Sequence, residues 1–168
     1  DQYIIFKDKY NAKPPGGEGF FAHYDGIFLW EDSDGRVNEG WHIYADDFVN
    51  ALVSIDPMDN TNGQLEIAKV HDDSFGNLLK NTKQNGTPML KEKLQETLVF
   101  EKINLSPGDV VFFNSKCPHK SSKNNSKKDR RTIYYTFNKA SDGDNYEKYF
   151  NDKLTSQNKK SKSLSGEI

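Results

Sequence analysis

The apolar residues of this chain recur mostly with period two, in short runs cut by proline, glycine, asparagine and aspartate. Period two puts alternate side chains on opposite faces of a strand, and the turn residues stop each run early. Residues 3–12 begin with a solid apolar stretch and then alternate. Lys7, Lys9 and Asn11 fall on one face, Phe6, Asp8, Tyr10 and Ala12 on the other. Pro14-Pro15-Gly16-Gly17 ends this strand, because proline has no N–H to give a ladder. Further strands are expected at 19–25, 48–55, 64–68, 98–100, 110–113 and 130–137. The run 110–113, entered through Ser106-Pro107-Gly108-Asp109, reads as a buried strand. Helical pattern is weak, with a short helix expected at 145–154. Such a series of short strands predicts an all-β sandwich or barrel, with jelly-roll closure.

The 168 residues suit one domain, taken as 1–155, followed by a flexible Lys/Ser/Asn-rich tail over 156–168. Lys and Arg total 23 against 25 Asp and Glu, so bulk charge gives no basis for binding nucleic acid or an anionic membrane. No apolar run is long enough to span a bilayer. The single cysteine, Cys117, excludes a disulfide framework and a cysteine zinc cluster, and suits a cytoplasmic setting. No targeting peptide opens the chain, and Asp1 is not a natural start, so an upstream region is expected to be missing.

Chemistry concentrates at His23-Tyr24-Asp25. Residues i and i+2 of a strand point to the same side, so an imidazole and a carboxylate converge there. His119 follows the strand at 110–113. Two imidazoles and one carboxylate on one face form the facial triad of non-haem Fe(II) oxygenases, with three coordination positions left open. Arg130-Arg131 heads the last strand, where a guanidinium can clamp a carboxylate, and Ser121 lies two residues past His119. Strand parity selects Arg130. It shares a polar face with Thr132, Tyr134 and Thr136, as a cavity holding a dicarboxylate requires, whereas Arg131 lies with Ile133, Tyr135 and Phe137.

Several blocks together resemble a known family: Lys7 to Gly17 with Gly19-Phe20 and His23-Tyr24-Asp25; Asn50 to Asp56 with Asn62 to Glu66; Pro107 to Phe113; and Pro118-His119-Lys120-Ser121 with Asn124, Ser126, Arg130-Arg131 and Tyr135 to Asn138. Their order is similar to that of the phytanoyl-CoA dioxygenase (PhyH) family, nearest its bacterial phosphonate-hydroxylating branch. The resemblance implies a double-stranded β-helix (jelly roll, cupin-like) with few short helices. It implies Fe(II) on His23, Asp25 and His119, with 2-oxoglutarate and O2 as cosubstrates. The distal carboxylate of 2-oxoglutarate would lie on Arg130 and Ser121, with Asn11 and Trp41 near it. A C–H bond of a small polar substrate would be hydroxylated, with release of succinate and CO2. Asp25 argues for hydroxylation, because related halogenases carry a small residue there. Two departures stand out: the helical region that family members carry before the first strand is absent, and residues 72–96 are unlike the family's usual sequence.

Other features have plainer readings. His42 reads as packing or loop. His71, which copies the His-x-Asp spacing through Asp73, reads as a solvated turn. Cys117 reads as a small packing residue, Lys127 to Arg131 as a solvated hairpin plus one buried arginine, and Glu66 as structural or substrate-facing. The Lys7, Lys9, Asn11 face is either an anion-binding wall or an edge strand kept soluble by lysine. Two further readings compete with the oxygenase: a catalytically inactive cupin-like binding module that retains the metal site, and a zinc hydrolase, which has no use for Arg130.

Overall fold

A computed structural model describes residues 1–32, 34–69, 74–83 and 88–165, with side chains through 156. The strands are β1 (Tyr3–Lys13), β2 (Phe20–His23), β3 (Leu29–Glu31), β4 (Val37–Glu39), β5 (Phe48–Ser54), β6 (Leu65–Ile67), β7 (Glu101–Ile103), β8 (Val110–Asn114), β9 (His119–Ser121) and β10 (Arg130–Lys139). The helices are α1 (Phe75–Lys80), α2 (Glu92–Gln95) and α3 (Tyr146–Ser165). Two four-stranded antiparallel sheets, in the orders β1-β10-β5-β8 and β2-β9-β6-β7, form a double-stranded β-helix, and β3 and β4 make a separate hairpin. Leu52, Phe113 and Tyr134 of the first sheet pack with Leu65, Ile67 and Ile103 of the second. A second cluster joins Phe6, Trp41, Tyr44 and Phe48 to Tyr149 of α3. A third lies under α1, around Ala22, Tyr24, Leu78 and Leu90.

The alternation expected along β1 breaks at Phe6. Ile5 pairs with Phe137 and Lys7 with Thr136, so Phe6 is an extra, bulged residue. The bulge lets Phe6 enter the aromatic core, fully buried, while Lys7 still faces the space between the sheets. Asp8 and Tyr10 point outward, as the alternation requires.

The segment read as a buried strand is instead an edge strand. In β8, Phe113 is buried, but Phe112 is 66% exposed and Val110 43%. The strand is half-buried because Val110 and Phe112 lie on the outer face of its sheet, where Tyr3, Ile5 and Tyr10 are exposed as well. The strand expected at 98–100 lies three residues later, as β7; Leu98 and Phe100 pack instead in the cluster under α1. The C-terminal helix does not stop at 154. It continues to Ser165 through residues read as a tail, and residues 166–168 lie outside the described residues. Among the described residues, no helix is long and apolar enough to cross a membrane.

Candidate active site

β2 and β9 pair so that His23 stands directly opposite His119, and their rings lie 4.1 Å apart between centroids. Each Nδ1 donates to a backbone carbonyl two residues earlier, His23 to Phe21 O and His119 to Cys117 O, both at 2.9 Å. A carbonyl can only accept, so each Nδ1 carries the proton and each Nε2 presents a lone pair. Asp25 lies just past the end of β2, held by its backbone N–H on Ser115 O at 2.9 Å. Its two carboxylate oxygens are each 3.7 Å from one Nε2, Oδ1 from His23 and Oδ2 from His119. One donor atom from each of the three residues falls within 4.8 Å of the others. Donors about 2.1 Å from a shared ion and at right angles to one another are about 3 Å apart, so a modest contraction closes this set on a metal.

The local electrostatics suit a cation. Burial, with His119 beside it, pushes the His23 pKa down to about 4, so the ring is neutral near pH 7. Burial raises the Asp25 pKa, but His119, Lys7, His23 and Asn50 together outweigh it and hold the group below its ordinary value. Asn50 of β5 donates from Nδ2 to Asp25 Oδ2 at 2.8 Å, and Thr136 of β10 donates to Asn50 Oδ1 at 2.7 Å. Both residues are about 1% exposed. Sequence reasoning gave neither a role. The available signal was a polar residue at an inward position of the otherwise apolar run Phe48-Val49-Asn50-Ala51-Leu52.

The three residues open into a cavity of about 420 Å³. Lys7, Lys9, Asn11, Lys13, Lys120, Ser121 and Arg130 line it, and among the described residues its carboxylates are Asp25 and Glu18, so positive charge is in excess there. Arg130 is 2% exposed and its Nε has no hydrogen-bond partner. Burial lowers its pKa, partly offset by Tyr134. Opposite Arg130 in the ladder is Lys13, a residue the sequence reading passed over. Its Nζ donates to Ser121 Oγ at 2.9 Å and Ser122 O at 2.6 Å, and burial with Arg130 nearby brings its pKa to about 8. Gly63 makes room for this ammonium: at φ +75°, a Cβ there would stand 3.0 Å from Nζ and 2.3 Å from Ser122 O.

The remaining predicted residues divide clearly. Asn11, Ser121 and Arg130 line the cavity. Trp41 does not; it belongs to the aromatic core, and its ring lies under the Lys7 ammonium, 3.9 Å from Nζ to centroid. It is seated by Gly26, at φ +76°, where a Cβ would collide with the indole. Arg131 points away from the cavity, exposed and held by both oxygens of Asp56 at 2.7 and 2.8 Å. His42 stacks on Phe75, and Glu66 accepts from Ser122 Oγ at 2.8 Å. Cys117 packs at the rim of the core shared by the two sheets. His71 and Asp73 lie outside the described residues. Of the stretch 72–96, Pro88 reaches the cavity and Leu90 donates its N–H to Ala22 O at 2.8 Å, flanking β2.

A double-stranded β-helix with two histidines and a carboxylate converging inside it defines the class of this protein. Residues 4–132 match phytanoyl-CoA dioxygenase (PhyH), and the chain belongs to that family. It is 32% identical over 153 residues to a 2-aminoethylphosphonate dioxygenase from uncultured bacterium HF130_AEPn_1, covering 91% of this chain and 52% of that protein. It is 30% identical over 154 residues to a methylphosphonate hydroxylase from Gimesia maris, with the same coverage. The chain thus spans about half the length of these curated relatives. Among solved structures, the epimerase SnoN from nogalamycin biosynthesis, crystallised with Fe3+ and alpha ketoglutarate, superposes with a TM-score of 0.61 at 15% identity. It covers 82% of this chain and 50% of SnoN. EctD from S. alaskensis gives 0.58 at 20%, covering 84% and 47%. At these identities the superpositions speak for the fold.

Proposed function

We propose that this chain is the oxygenase domain of an Fe(II)- and 2-oxoglutarate-dependent hydroxylase acting on a small anionic or zwitterionic substrate of the aminoalkyl-phosphonate type. The observation that carries the proposal is the pairing, in one cavity, of the His23, Asp25, His119 set with a buried arginine whose Nε has no partner. A neutral-imidazole, carboxylate donor set suits Fe(II), and Arg130 fits a dicarboxylate that also reaches the metal. Bound Fe(II) supplies the oxidative step in which 2-oxoglutarate and O2 become succinate and CO2, and one oxygen atom enters a substrate C–H bond.

The chain's own residues do the holding. His23, Asp25 and His119 would carry the metal from one side, leaving the other side to cosubstrate and O2. Arg130, Ser121 and Asn11 would hold the distal carboxylate, and Trp41, outside the cavity lining, would take no direct part in it. Lys13 adds a second cation at that end. Phe20 packs edge-on against the His23 ring and Phe113 against that of His119. The phosphonate class is supported by the names of the two curated relatives. A cytoplasmic site of action suits an Fe(II) enzyme with one cysteine.

The test is aerobic incubation of the chain with Fe(II), 2-oxoglutarate and either 2-aminoethylphosphonate or methylphosphonate. Succinate and hydroxylated phosphonate formed one for one support the proposal. Metal and 2-oxoglutarate binding with no succinate would assign the chain as a binding module instead.

A further inference from the structure

The cavity contains a cation for which the proposed cosubstrate has no use. Along β1, Lys13 pairs with Arg130, Asn11 with Thr132, Lys9 with Tyr134 and Lys7 with Thr136. Thr136 also pairs with Asn50, the residue that holds Asp25. The ladder therefore puts Lys7 at the level of the metal ligands and Lys13 at the level of Arg130. A dicarboxylate chelating the metal and reaching Arg130 has both its charged ends met without Lys7.

Lys7 is placed there deliberately by the chain. The bulge at Phe6 shifts the register so that both neighbours face inward, Phe6 into the aromatic core and Lys7 into the cavity. The ammonium rests 3.9 Å above the centre of the Trp41 ring. Among the described residues, no carboxylate comes within 4.0 Å of it, and no hydrogen-bond acceptor holds it. Burial outweighs the pull of Asp25 and lowers its pKa to about 8, with Lys153 and Lys9 adding repulsion. A half-buried ammonium with an aromatic face beneath it and cations beside it leaves its cavity side to be completed by an anionic ligand.

We infer that Lys7 is a specificity-determining residue that receives the anionic group of the substrate, a phosphonate, beside the metal. This inference rests on the oxygenase reading proposed above. Trp41 blocks one side of the ammonium and fixes its height, leaving the cavity side for phosphonate oxygens. Lys9, exposed at the cavity wall, adds attraction for the same charge.

The experiment uses the whole 168-residue chain under anaerobic conditions. Fe(II) and 2-oxoglutarate are titrated by the visible charge-transfer absorption of their complex, and methylphosphonate is then titrated by calorimetry. The wild-type chain is expected to bind methylphosphonate and not its uncharged dimethyl ester. Lys7→Met is expected to weaken methylphosphonate at least about tenfold, the loss for one hydrogen bond to a charged group. 2-Oxoglutarate should change less than about threefold, and Lys7→Arg should recover part of the methylphosphonate binding. Unchanged methylphosphonate binding in Lys7→Met, or an equal loss of 2-oxoglutarate, overturns the inference. So does a wild-type chain that takes 2-oxoglutarate but no methylphosphonate, or one that binds the ester as tightly. The last two comparisons need no variant and stand even if Lys7→Met does not fold. A wild-type chain giving no Fe(II)–2-oxoglutarate absorption overturns the oxygenase reading itself, and the inference with it.

Discussion

Replacing Asn50 with leucine removes one donor from Asp25 and one acceptor from Thr136 while keeping the same branching and number of heavy atoms. In the structure, the Asn50 amide is the side-chain donor to Asp25 Oδ2, at 2.8 Å, and the Thr136 hydroxyl at 2.7 Å fixes which end of the amide faces the carboxylate. A hydrogen bond to a charged group contributes about 1.5–3 kcal/mol. Loss of a residue that orients a metal ligand weakens metal binding by roughly 10–100-fold, or about 1.4–2.7 kcal/mol. The two estimates agree, so Asn50→Leu is expected to weaken Fe(II) by one to two orders of magnitude. Thr136→Val removes only the bond between neutral groups, about 0.5–1.5 kcal/mol, and is expected to lose no more than roughly tenfold. Competition titration of Co(II) or Fe(II) against a chelator, with circular dichroism confirming the fold, measures both. Folded Asn50→Leu with wild-type metal affinity would refute the idea that this relay holds the carboxylate.

Three further outcomes are expected. Arg130→Ala should weaken 2-oxoglutarate by at least about 30-fold, from the 2–5 kcal/mol lost when a buried charge pair loses a partner; Arg131→Ala, whose guanidinium points to Asp56, should leave the same titration unchanged. With the His23 pKa lowered to about 4, the unfolded chain binds more protons than the folded one between about pH 6.5 and pH 4. Stability of the metal-free chain is therefore complete above about pH 6.5 and falls as pH drops to 4, by up to about 3 kcal/mol from this group, and urea melts across that window should show a shallower slope for His23→Leu. Phe113→Ala should destabilise by about 3–5 kcal/mol, whereas exposed Phe112→Ala should stay within about 0.5 kcal/mol; chemical denaturation that reverses this order contradicts the register of β8.

The parts legible in the sequence were those with strong local periodicity. β1, β5 and β10 carry long alternating or β-branched runs, and the faces of β10 follow from them: Arg130, Thr132 and Thr136 are buried while Arg131 is exposed. His23 and Asp25 were legible because two residues of one strand share a side, although Asp25 lies just past the strand end. Pairing information was not legible. β9 is three residues long and reads as loop until β2 and β6 pair with it on both sides. β7 is Glu101-Lys102-Ile103, nearly polar, and exists through its ladder with β6, so apolar Leu98 to Phe100 drew the assignment away. The bulge at Phe6 is a mismatch between two strands and cannot be seen in either alone. Asn50 and Lys13 acquire their roles only from partners 25 and 108 residues away. The Lys/Ser/Asn-rich end of α3 has little amphipathic pattern, and the composition pointed to a tail.

On the proposed function, His23, Asp25 and His119 hold one Fe(II) that 2-oxoglutarate then chelates. The decisive measurement is anaerobic titration of Fe(II) into the chain with saturating 2-oxoglutarate, followed by visible absorption. A charge-transfer band is expected that saturates at one iron per chain and is lost in both His23→Ala and His119→Ala. A band that survives both substitutions, or that never forms in the wild-type chain, would contradict it.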